Sequence, residues 1–413
     1  MVKTEKIPEG HRATEAGILP VDWQVKRLSE VATELTERAG QDKYETVSIS
    51  AGIGFVNQAE KFGKELSGKQ YEKYIVLHQG DFSYNKGNSK TSPQGCIYRL
   101  NDRESAAVPN VFESFRIKEQ NADYYEQLFL SGFLNRQLYS RINRGVRDDG
   151  LLNLTGKDFY SCTVPVPPVD EQKKIAEVLL CCDRVIDLKQ QLIIELQQLK
   201  KGFLQAVFPT KGCNKPDIRF PGFSEVWEQR KYAEVIELLS GQDFNPEEYN
   251  EDGIGIPYLT GASCIENGCT TAVRWTEKPR CIVKKGDTVL VCKGSGYGTI
   301  ATVNQEKAHI ARQFMALKVK KHELDHRFNY FLLNSIMGNI KTDARGLIAG
   351  IARDAVLKQE IVIPCLNEQT KIGEYFDNLD KMITLHQREL EETKKKKRGL
   401  AKLLLTGGVR VPT

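Results

Sequence analysis

Few runs of this sequence have residue types and spacing that could do chemistry, and the most specific is HELDH at His322–His326. It satisfies H-E-x-x-H, in which two histidines on one helical face bind Zn²⁺ and the glutamate activates a water. Asp325, however, aligns with Asp123 of an earlier similar stretch and has the position of a helix N-cap, so His322 should precede the helix. We therefore expect a coincidental match and no metal site.

A second candidate is the glycine-rich run KGSGYGT at Lys293–Thr299, which follows a predicted strand. It fits neither G-x-G-x-x-G nor G-x-x-x-x-G-K-[ST], and the IATVN that follows is predicted to be another strand rather than a helix. A β-turn therefore explains the glycines better than a nucleotide site does. A nucleic-acid-facing loop stays open, because glycine lets the backbone approach a phosphate closely.

Other catalytic and binding signatures are absent from the sequence. There is no G-x-S-x-G elbow, no Walker lysine, no N/D-P-P-Y/F tetrapeptide of amino-methyltransferases, and no C-x-x-C among the ten cysteines. The basic run KKKKR at Lys394–Arg398 follows glutamates at i,i+4 spacing, which favours a solvated helix face over a phosphate or partner contact. The chain is thus predicted not to be an enzyme.

Length and composition indicate a folded chain of two to four domains. It has 413 residues, 40% hydrophobic and 27% charged, with a net charge of +5. No apolar run approaches the 18 residues of a membrane span, and the N-terminal residues lack an apolar stretch. We expect a cytoplasmic location and no membrane association. The mild positive charge does not decide the partner.

The elements that must position any site come from an internal duplication. PPVDEQKKIAEVLLCCDRVID at Pro167–Asp187 is repeated, 197 residues later, as PCLNEQTKIGEYFDNLDKMIT at Pro364–Thr384. The ungapped match extends over about 36 positions, which chance rarely produces. One structural module is therefore predicted to occur twice.

Both copies of the repeat are predicted to be long helices. Apolar residues recur in two heptad columns, for example Ile175 with Leu179 and Ile372 with Phe376. The polar interruptions coincide in the two copies, which favours an antiparallel coiled coil of about 50 Å over two unrelated helices. Asp170 and Asn367 are predicted N-caps.

Weaker similarity precedes each helix and includes Trp23 with Trp227 and the Gly-Asp turns of HQGD and KKGD. Short alternating strands make these parts mixed α/β (α+β). We predict a globular domain at 1–165, a helical region at 166–208, a second globular domain at 209–362 and a second helical region at 363–413. The Pro- and Gly-rich segment Phe208–Phe223 is the predicted joint between the halves.

This organisation resembles the specificity (S) subunit of Type I restriction-modification enzymes over essentially the whole chain. The resemblance rests first on the P-x-x-[DN]-E-Q-x-K-I helix starts at Pro167 and Pro364. It also rests on the similar segments that contain Trp23 and Trp227, and on the strand and turn in KGDTVLVCKGSGYGTIATVN. The resemblance identifies the two globular domains with target recognition domains.

The resemblance implies a noncatalytic, sequence-specific subunit for double-stranded DNA. Each recognition domain would read one half of a bipartite, asymmetric target, and the helices would set the spacer and dock two methyltransferase (M) subunits. Two restriction/translocase (R) subunits would complete the nuclease. This chain would bind no cofactor, whereas S-adenosylmethionine, ATP and Mg²⁺ would belong to the partner subunits, which methylate adenine and cleave DNA.

Polar loop residues are the candidates for DNA contact, because Arg and Lys suit guanine, Asn and Gln suit adenine, and all of them can hold phosphates. The candidates are Asn85, Lys86, Asn88, Lys90, Arg144, Arg147, Lys293, Ser295, Tyr297, Arg312 and Gln313. For each of them, ordinary surface polarity is an equally good interpretation.

Two other functions stay open at this point. The duplicated helices are also compatible with a DNA-independent coiled-coil scaffold that brings two partners together. A specificity subunit of a modification-only system, which has no R subunit, is a nearer alternative. The sequence does not separate these, since the distinguishing component is another polypeptide.

Overall fold

The structure, a computed structural model, describes residues 7–63, 68–87, 89–142, 152–210, 212–294, 296–343 and 350–412. The chain forms two compact units. Unit 1 comprises Met1–Leu188 with Glu391–Thr413, and unit 2 comprises Lys189–Leu390. No helix in these described ranges has the length and apolar character needed to cross a membrane.

Unit 1 is mixed α/β. Its strands are β1 (His11–Thr14), β2 (Gly17–Pro20), β3 (Gln24–Arg27), β4 (Ala32–Glu34), β5 (Val47–Ser50), β6 (Gly54–Asn57), β7 (Ile75–His78), β8 (Phe82–Asn85), β9 (Cys96–Arg99), β10 (Ser105–Val108), β11 (Glu113–Ile117) and β12 (Thr163–Val166). Its helices are α1 (Leu28–Val31), α2 (Gln58–Phe62), α3 (Ala122–Leu130), α4 (Asn135–Arg141), α5 (Gly156–Tyr160) and the first half of α6 (Val169–Val207), with a 3₁₀ helix at Gly68–Lys73.

The core of unit 1 lies between an antiparallel sheet, in the order β4-β11-β8-β9, and the helices that cover it. Phe82 of β8 stacks on Phe115 of β11 with ring centroids 5.4 Å apart, and Phe129 of α3 meets both rings edge-on. Tyr124 and Leu128 of α3 are fully buried in the same cluster. An amphipathic helix therefore closes one face of the sheet.

Unit 2 is also mixed α/β and contains a six-stranded sheet. Its strands are β13 (Glu228–Lys231), β14 (Ile236–Ser240), β15 (Ile256–Leu259), β16 (Ile265–Glu266), β17 (Cys269–Thr270), β18 (Trp275–Thr276), β19 (Ile282–Lys284), β20 (Thr288–Val291), β21 (Ile300–Thr302), β22 (Lys307–Ile310), β23 (Phe314–Val319) and β24 (Glu360–Ile363). Its helices are α7 (Tyr232–Val235), α8 (His326–Asp343), α9 (Arg353–Leu357) and most of α10 (Leu366–Leu405), with 3₁₀ helices at Pro246–Glu248 and Ala262–Cys264.

A six-stranded sheet in the order β14-β23-β20-β21-β17-β16 divides the core of unit 2. Along β20 and β23 successive side chains alternate between the two faces, as the period of a strand requires. Leu290 and Leu317 join the core under α8, whereas Val289 and Ala316 face the second core under the sheet β18-β15-β22-β19. Both faces of the central strands are thus buried, which is why they are apolar throughout.

The two units share one plan, as the duplication predicts. The order β4-β11-β8-β9 of unit 1 recurs as β14-β23-β20-β21 in unit 2, and each long helix follows a strand that pairs antiparallel with the strand after the tryptophan. The Gly-Asp turns also match, because Asp81 accepts the His78 N–H and Asp287 accepts the Lys284 N–H, each at 2.8 Å. The mixed α/β fold with a two-fold repeat is confirmed.

Within unit 1, the first half of α6 packs antiparallel against the last part of α10. Asp183 accepts a hydrogen bond from Lys397 at 2.5 Å, whereas Glu171, twelve residues earlier on α6, accepts hydrogen bonds from Arg410 beyond the end of α10. Ile175 and Leu179 of α6 share the buried core with Leu404 and Leu405. The predicted apolar seam is therefore present.

Within unit 2, the second half of α6 packs antiparallel against the first part of α10. Lys200 donates to Asp380 at 2.5 Å, and Lys189 donates to Glu389 at 2.7 Å. The Lys200–Asp380 pair repeats the Lys397–Asp183 pair of unit 1 with both residues shifted by 197 positions. The coincident polar interruptions in the two heptad patterns are thus explained by ion pairs between the helices.

The beginnings of the helices correct two predictions. The helices α6 and α10 start at Val169 and Leu366, so Asp170 and Asn367 lie in the first turn and are not N-caps. Asp325 does cap α8, accepting the N–H groups of Arg327 and Phe328 at 2.9 Å. The matching cap in unit 1 is Asn121, two residues before the Asp123 of the sequence alignment. His322 precedes α8, so it shares no helical face with His326.

The helix seam yields a stability prediction. Phe376 of α10 is fully buried and lies between Phe203 and Phe331, with ring centroids 5.7 and 5.1 Å away. Phe376→Ala opens a cavity and should destabilise unit 2 by about 3–5 kcal/mol. Urea unfolding of the full chain measures this loss. Leu385→Ala on the same helix is the control, because Leu385 is 54% exposed; equal losses for both variants would refute the seam.

Candidate nucleic-acid interface

Three turns of unit 2 that are distant in sequence meet at one surface. They follow β15, β20 and β22, and the exposed side chain of Gln313 lies among them. A Cβ on Gly261 would lie 2.2 Å from the Gln313 Oε1, and one on Gly294 would lie 3.7 Å from it. The Gln313 carbonyl also accepts the Cys292 N–H at 2.7 Å. A Cβ on Gly261 would therefore displace the Gln313 amide, so the glycine allows this side chain to lie against the backbone.

The predicted DNA-contact residues of unit 2 are differently placed. Lys293 and Gln313 are exposed at this surface, and Arg312 is beside them with 74% of its side chain exposed. Tyr297 is half-buried, and the Lys341 ammonium lies 5.3 Å from its ring centroid. Ser295 lies outside the described residues. The structure thus brings Lys293, Arg312 and Gln313 together, while packing gives Tyr297 an additional structural role.

The candidates of unit 1 are more constrained. Asn85 donates to the Ile49 carbonyl at 3.1 Å and accepts the Gly87 N–H at 2.8 Å. Lys86 forms a half-buried ion pair with Glu113 at 2.5 Å, and Lys90 is exposed. Asn88, Arg144 and Arg147 lie outside the described residues. Asn85 and Lys86 therefore support their own loop, and DNA contact by any of these side chains stays a prediction.

A buried glutamine at each helix start joins the globular part of its unit to the helix. Gln172 accepts the backbone N–H of Asn121 at 3.1 Å, and Gln369 accepts that of Asp325 at 2.9 Å. Both glutamines are buried. Since Asn121 and Asp325 are the caps of α3 and α8, each glutamine ties the start of a long helix to the start of the helix that covers its sheet.

A buried glutamate precedes each glutamine and is neutralised by an arginine. In unit 1, Arg410 donates to both oxygens of Glu171 at 2.7 and 2.8 Å and to both oxygens of Asp22 at 2.9 and 2.8 Å. These hydrogen bonds raise the pKa of Arg410 and lower the pKa of Asp22. In unit 2, Arg219 donates to both oxygens of Glu368 at 2.7 Å. Glu171 and Glu368 have no exposed surface.

The two junctions differ at the tryptophan. Trp23 donates its indole N–H to Glu171 at 3.0 Å, which gives that carboxylate a second donor. The indole N–H of Trp227 is buried and has no hydrogen-bond partner among the described residues. The carboxylate of unit 2 therefore depends more heavily on its arginine than the carboxylate of unit 1 does.

A buried histidine supports the surface formed by the three turns. His309 of β22 is fully buried, accepts the N–H groups of Arg280 and Cys281 through Nδ1 and donates through Nε2 to the Gln242 carbonyl at 2.7 Å. These bonds require the neutral Nε2–H tautomer. Burial lowers the pKa of His309 below its ordinary value, and the positive charge of Arg280 acts in the same direction.

Both repeats of the chain match one known protein family. The family model of the Type I restriction modification DNA specificity domain matches twice, at residues 20–198 and 224–395. The chain belongs to this family. The two matches coincide with the two repeats. The chain is therefore a specificity subunit, which recognises DNA sequence.

Individual relatives agree with the family. The type I restriction enzyme MjaVIII specificity subunit of Methanocaldococcus jannaschii is 28% identical over 437 residues, covering 95% of this chain and 94% of the relative. The solved S subunit of a type I restriction-modification system from M. genitalium aligns with a TM-score of 0.59 at 15% identity, covering 93% of this chain and 96% of that one. A chain from a study of complex assembly and conformational transition of the type I R-M system also gives 0.59, at 19% identity, covering 95% and 99%. The two solved structures concern the fold alone.

Sequence reasoning missed several residues of this specificity subunit. Arg219 and Arg410 follow the ends of α6 and α10 by twelve and five residues, so the 197-residue shift does not align them. Asp243, which pairs with Arg312, and the buried His309 carry no motif. The repeat did mark Glu171 and Glu368 as equivalent, and a buried-charge argument at these positions could have prompted a search for partner arginines.

The two arginine–glutamate pairs, Arg219 with Glu368 and Arg410 with Glu171, predict different losses of stability when the arginine is removed. Arg219→Ala leaves Glu368 as an unpaired buried charge and should cost about 3–5 kcal/mol of stability. Arg410→Ala should cost less, because Trp23 still donates to Glu171 and water can reach the site that Arg410 leaves. Thermal unfolding of the full-length variants measures both, with the exposed Lys358→Ala as control. A smaller loss for Arg219→Ala than for Arg410→Ala contradicts this account.

The buried histidine predicts a pH dependence. Because the pKa of His309 is lower in the folded chain than in the unfolded chain, unfolding takes up a proton below about pH 6.5. The stability of unit 2 should therefore fall as the pH drops from 7 to 5.5, by at most about 1.4 kcal/mol per pH unit from this group. His309→Gln should flatten that part of the profile, measured as unfolding midpoints at several pH values. An unchanged slope in the variant would show that other groups are responsible.

Proposed function

We propose that this specificity subunit reads a bipartite, asymmetric sequence in double-stranded DNA, one half with each unit. The observation that carries the proposal is that one structural plan occurs twice with different loops. The repeated sheet order and the Glu-Gln helix starts are common to both units, whereas the outer strands are arranged differently. In unit 2, β18, β15, β22 and β19 form one four-stranded sheet, and in unit 1 the pairs β5-β6 and β7-β10 form two two-stranded sheets. Equal frameworks with unequal reading surfaces suit two different half-sites rather than a palindrome.

Within this proposal, exposed polar residues on the loops contact the DNA. Lys293, Arg312 and Gln313 act from unit 2, and Lys90 acts from unit 1, since all four are exposed. DNA contact by the other candidates named from the sequence, Asn85, Lys86, Asn88, Arg144, Arg147, Ser295 and Tyr297, stays a prediction. Arginine and lysine can bind guanine or phosphate, and glutamine can pair with the edge of adenine in the major groove.

The helices have two roles in this proposal: they fix the spacer between the half-sites and dock two methyltransferase subunits. Exposed apolar residues occur at equivalent repeat positions, Val185 and Leu188 on α6 and Met382 and Leu385 on α10, with 40 to 70% of each residue exposed. Each pair is spaced i,i+3 and so lies on one helical face. Repetition of the same apolar pair supports two copies of one partner.

The chain itself is noncatalytic in this proposal. The methyltransferase subunits bind S-adenosylmethionine and methylate adenine, and two restriction subunits use ATP and Mg²⁺ to cleave DNA. The assembly acts on DNA in the cytoplasm. The specificity subunit determines, through its two reading surfaces, the DNA sequence on which the assembly acts.

The decisive experiment is to co-express the chain with its methyltransferase, purify the complex and map methylated adenines over a DNA library. One bipartite, asymmetric motif with a fixed gap is the expected result. A stable complex that shows no sequence preference would instead support a DNA-independent scaffold.

Gln313→Ala tests the reading surface of unit 2. The variant should lose discrimination at one base pair of one half-site, by about 1–3 kcal/mol, and keep the other half-site intact. Gln191→Ala is a matched control, since Gln191 is an exposed glutamine on α6 whose side chain donates to Glu195 on the same helix at 2.9 Å. Changes in both half-sites after Gln313→Ala would contradict the assignment of one half-site to each unit.

A further inference from the structure

Beside the three turns of unit 2, the segment that follows β14 is fixed against the turn between β22 and β23. Gly241 donates its N–H to the Phe314 carbonyl at 3.1 Å, and Gln242 donates to the Ile310 carbonyl at 3.0 Å. The His309 ring donates to the Gln242 carbonyl from the other side at 2.7 Å. The backbone leading to Asp243 is therefore held by three hydrogen bonds.

Gly241 makes this close approach possible. A Cβ at this position would lie 2.1 Å from the Ala311 carbonyl oxygen, a distance that no side chain can adopt. The two backbone segments consequently meet in direct contact. Asp243 and Arg312, which continue these segments, are brought to a defined separation by backbone packing and not only by their own charges.

The carboxylate of Asp243 holds both the backbone and the side chain of Arg312. Its Oδ1 accepts the Arg312 N–H at 3.0 Å, and its Oδ2 lies 2.7 Å from the Arg312 Nε. The arginine side chain is nevertheless 74% exposed, and that of Asp243 is 41% exposed. An ion pair this exposed adds little stability, so stability alone does not account for the arrangement.

We propose that Asp243 is a positioning residue that directs Arg312 towards a guanine of the half-site read by unit 2. The inference rests on the proposed function and names a specificity determinant within it. A free arginine side chain loses rotamer entropy when it binds. Asp243 holds the Nε edge before DNA arrives, which reduces that loss and directs the terminal nitrogens outward. Two terminal donors in a fixed direction match the O6 and N7 acceptors of guanine.

The charge of Asp243 favours guanine over phosphate as the target. A nearby carboxylate lowers the positive potential around Arg312 and so weakens attraction to the phosphate backbone. A directional pair of hydrogen bonds to a base edge gains from the fixed geometry and depends less on net charge. The arrangement therefore lowers the general affinity for the phosphate backbone but fixes the direction of the Arg312 side chain, which suits contact with a base.

The test is methylation mapping with the full chain in complex with its methyltransferase, for Arg312→Ala, Asp243→Asn and the double variant. Asparagine keeps an oxygen for the Arg312 N–H but cannot form an ion pair with its guanidinium. Each single variant should relax the same G·C position, Arg312→Ala by about ten- to a hundredfold and Asp243→Asn by less. The double variant should match Arg312→Ala, because Asp243 acts only through Arg312.

Asp354→Asn is the matched control. It removes the same charge from an exposed ion pair with Lys358 on α9 and should leave the motif unchanged. Unfolding midpoints of all variants close to that of the parent chain exclude misfolding. Failure of the parent complex to methylate a defined motif would overturn the proposed function. A defined motif that stays strict in Asp243→Asn would overturn only the role of Asp243.

A phosphate contact gives a different result. Arg312→Ala would then lower binding to all sequences alike and reduce the dependence of affinity on salt by about one phosphate, with no position relaxed. Asp243→Asn would raise affinity for all sequences, because removing the carboxylate increases the local positive potential. Either outcome overturns the assignment of Arg312 to a guanine.

Discussion

Each long helix of this subunit begins with a carboxylate that has no access to water, and the junction depends on how that charge is neutralised. Glu171 and Glu368 are buried in the first turns of α6 and α10, and each accepts two hydrogen bonds from one arginine. A buried carboxylate without a partner is costly, so the stability of each junction depends on its arginine. The arginines come from segments that follow the ends of the helices. Junction formation therefore requires chain segments far apart in sequence to be folded together.

This constraint divides the molecule into parts that must be alike and parts that can differ. The glutamate, the following glutamine and the helix caps at Asn121 and Asp325 fix how each globular part meets its helix. Loops beyond the shared sheet are not restricted in this way. Unit 2 places Arg312 and Gln313 on such loops, and unit 1 places Lys90 there. If the loops contact DNA as proposed, a fixed junction with variable loops lets DNA preference change without loss of the framework.

The junctions are not identical, and the difference is chemical. Glu171 has donors from Arg410 and Trp23, whereas the indole of Trp227 has no partner in the described part of the chain, and Arg219 carries the interaction with Glu368. The surface of unit 2 depends on a further buried group, because the neutral His309 joins Gln242 to the strand beside it. The two repeats have therefore kept the same geometry while distributing their hydrogen bonds differently.

The sequence by itself determined the duplication, the long helices with their apolar seam and the mixed α/β class. These features are written in local periodicity and in residues repeated at one fixed shift, such as Ile175 with Ile372. The tertiary structure alone decided which residues neutralise the buried glutamates. Arg219 and Arg410 are not related by the 197-residue shift of the repeat, and only their positions in space pair them with Glu368 and Glu171. The tertiary structure also decided that Asp243 pairs with Arg312. That contact arises from backbone packing at Gly241 between segments about 70 residues apart. Periodicity reports how an element buries one face, whereas such pairings depend on where separate elements meet.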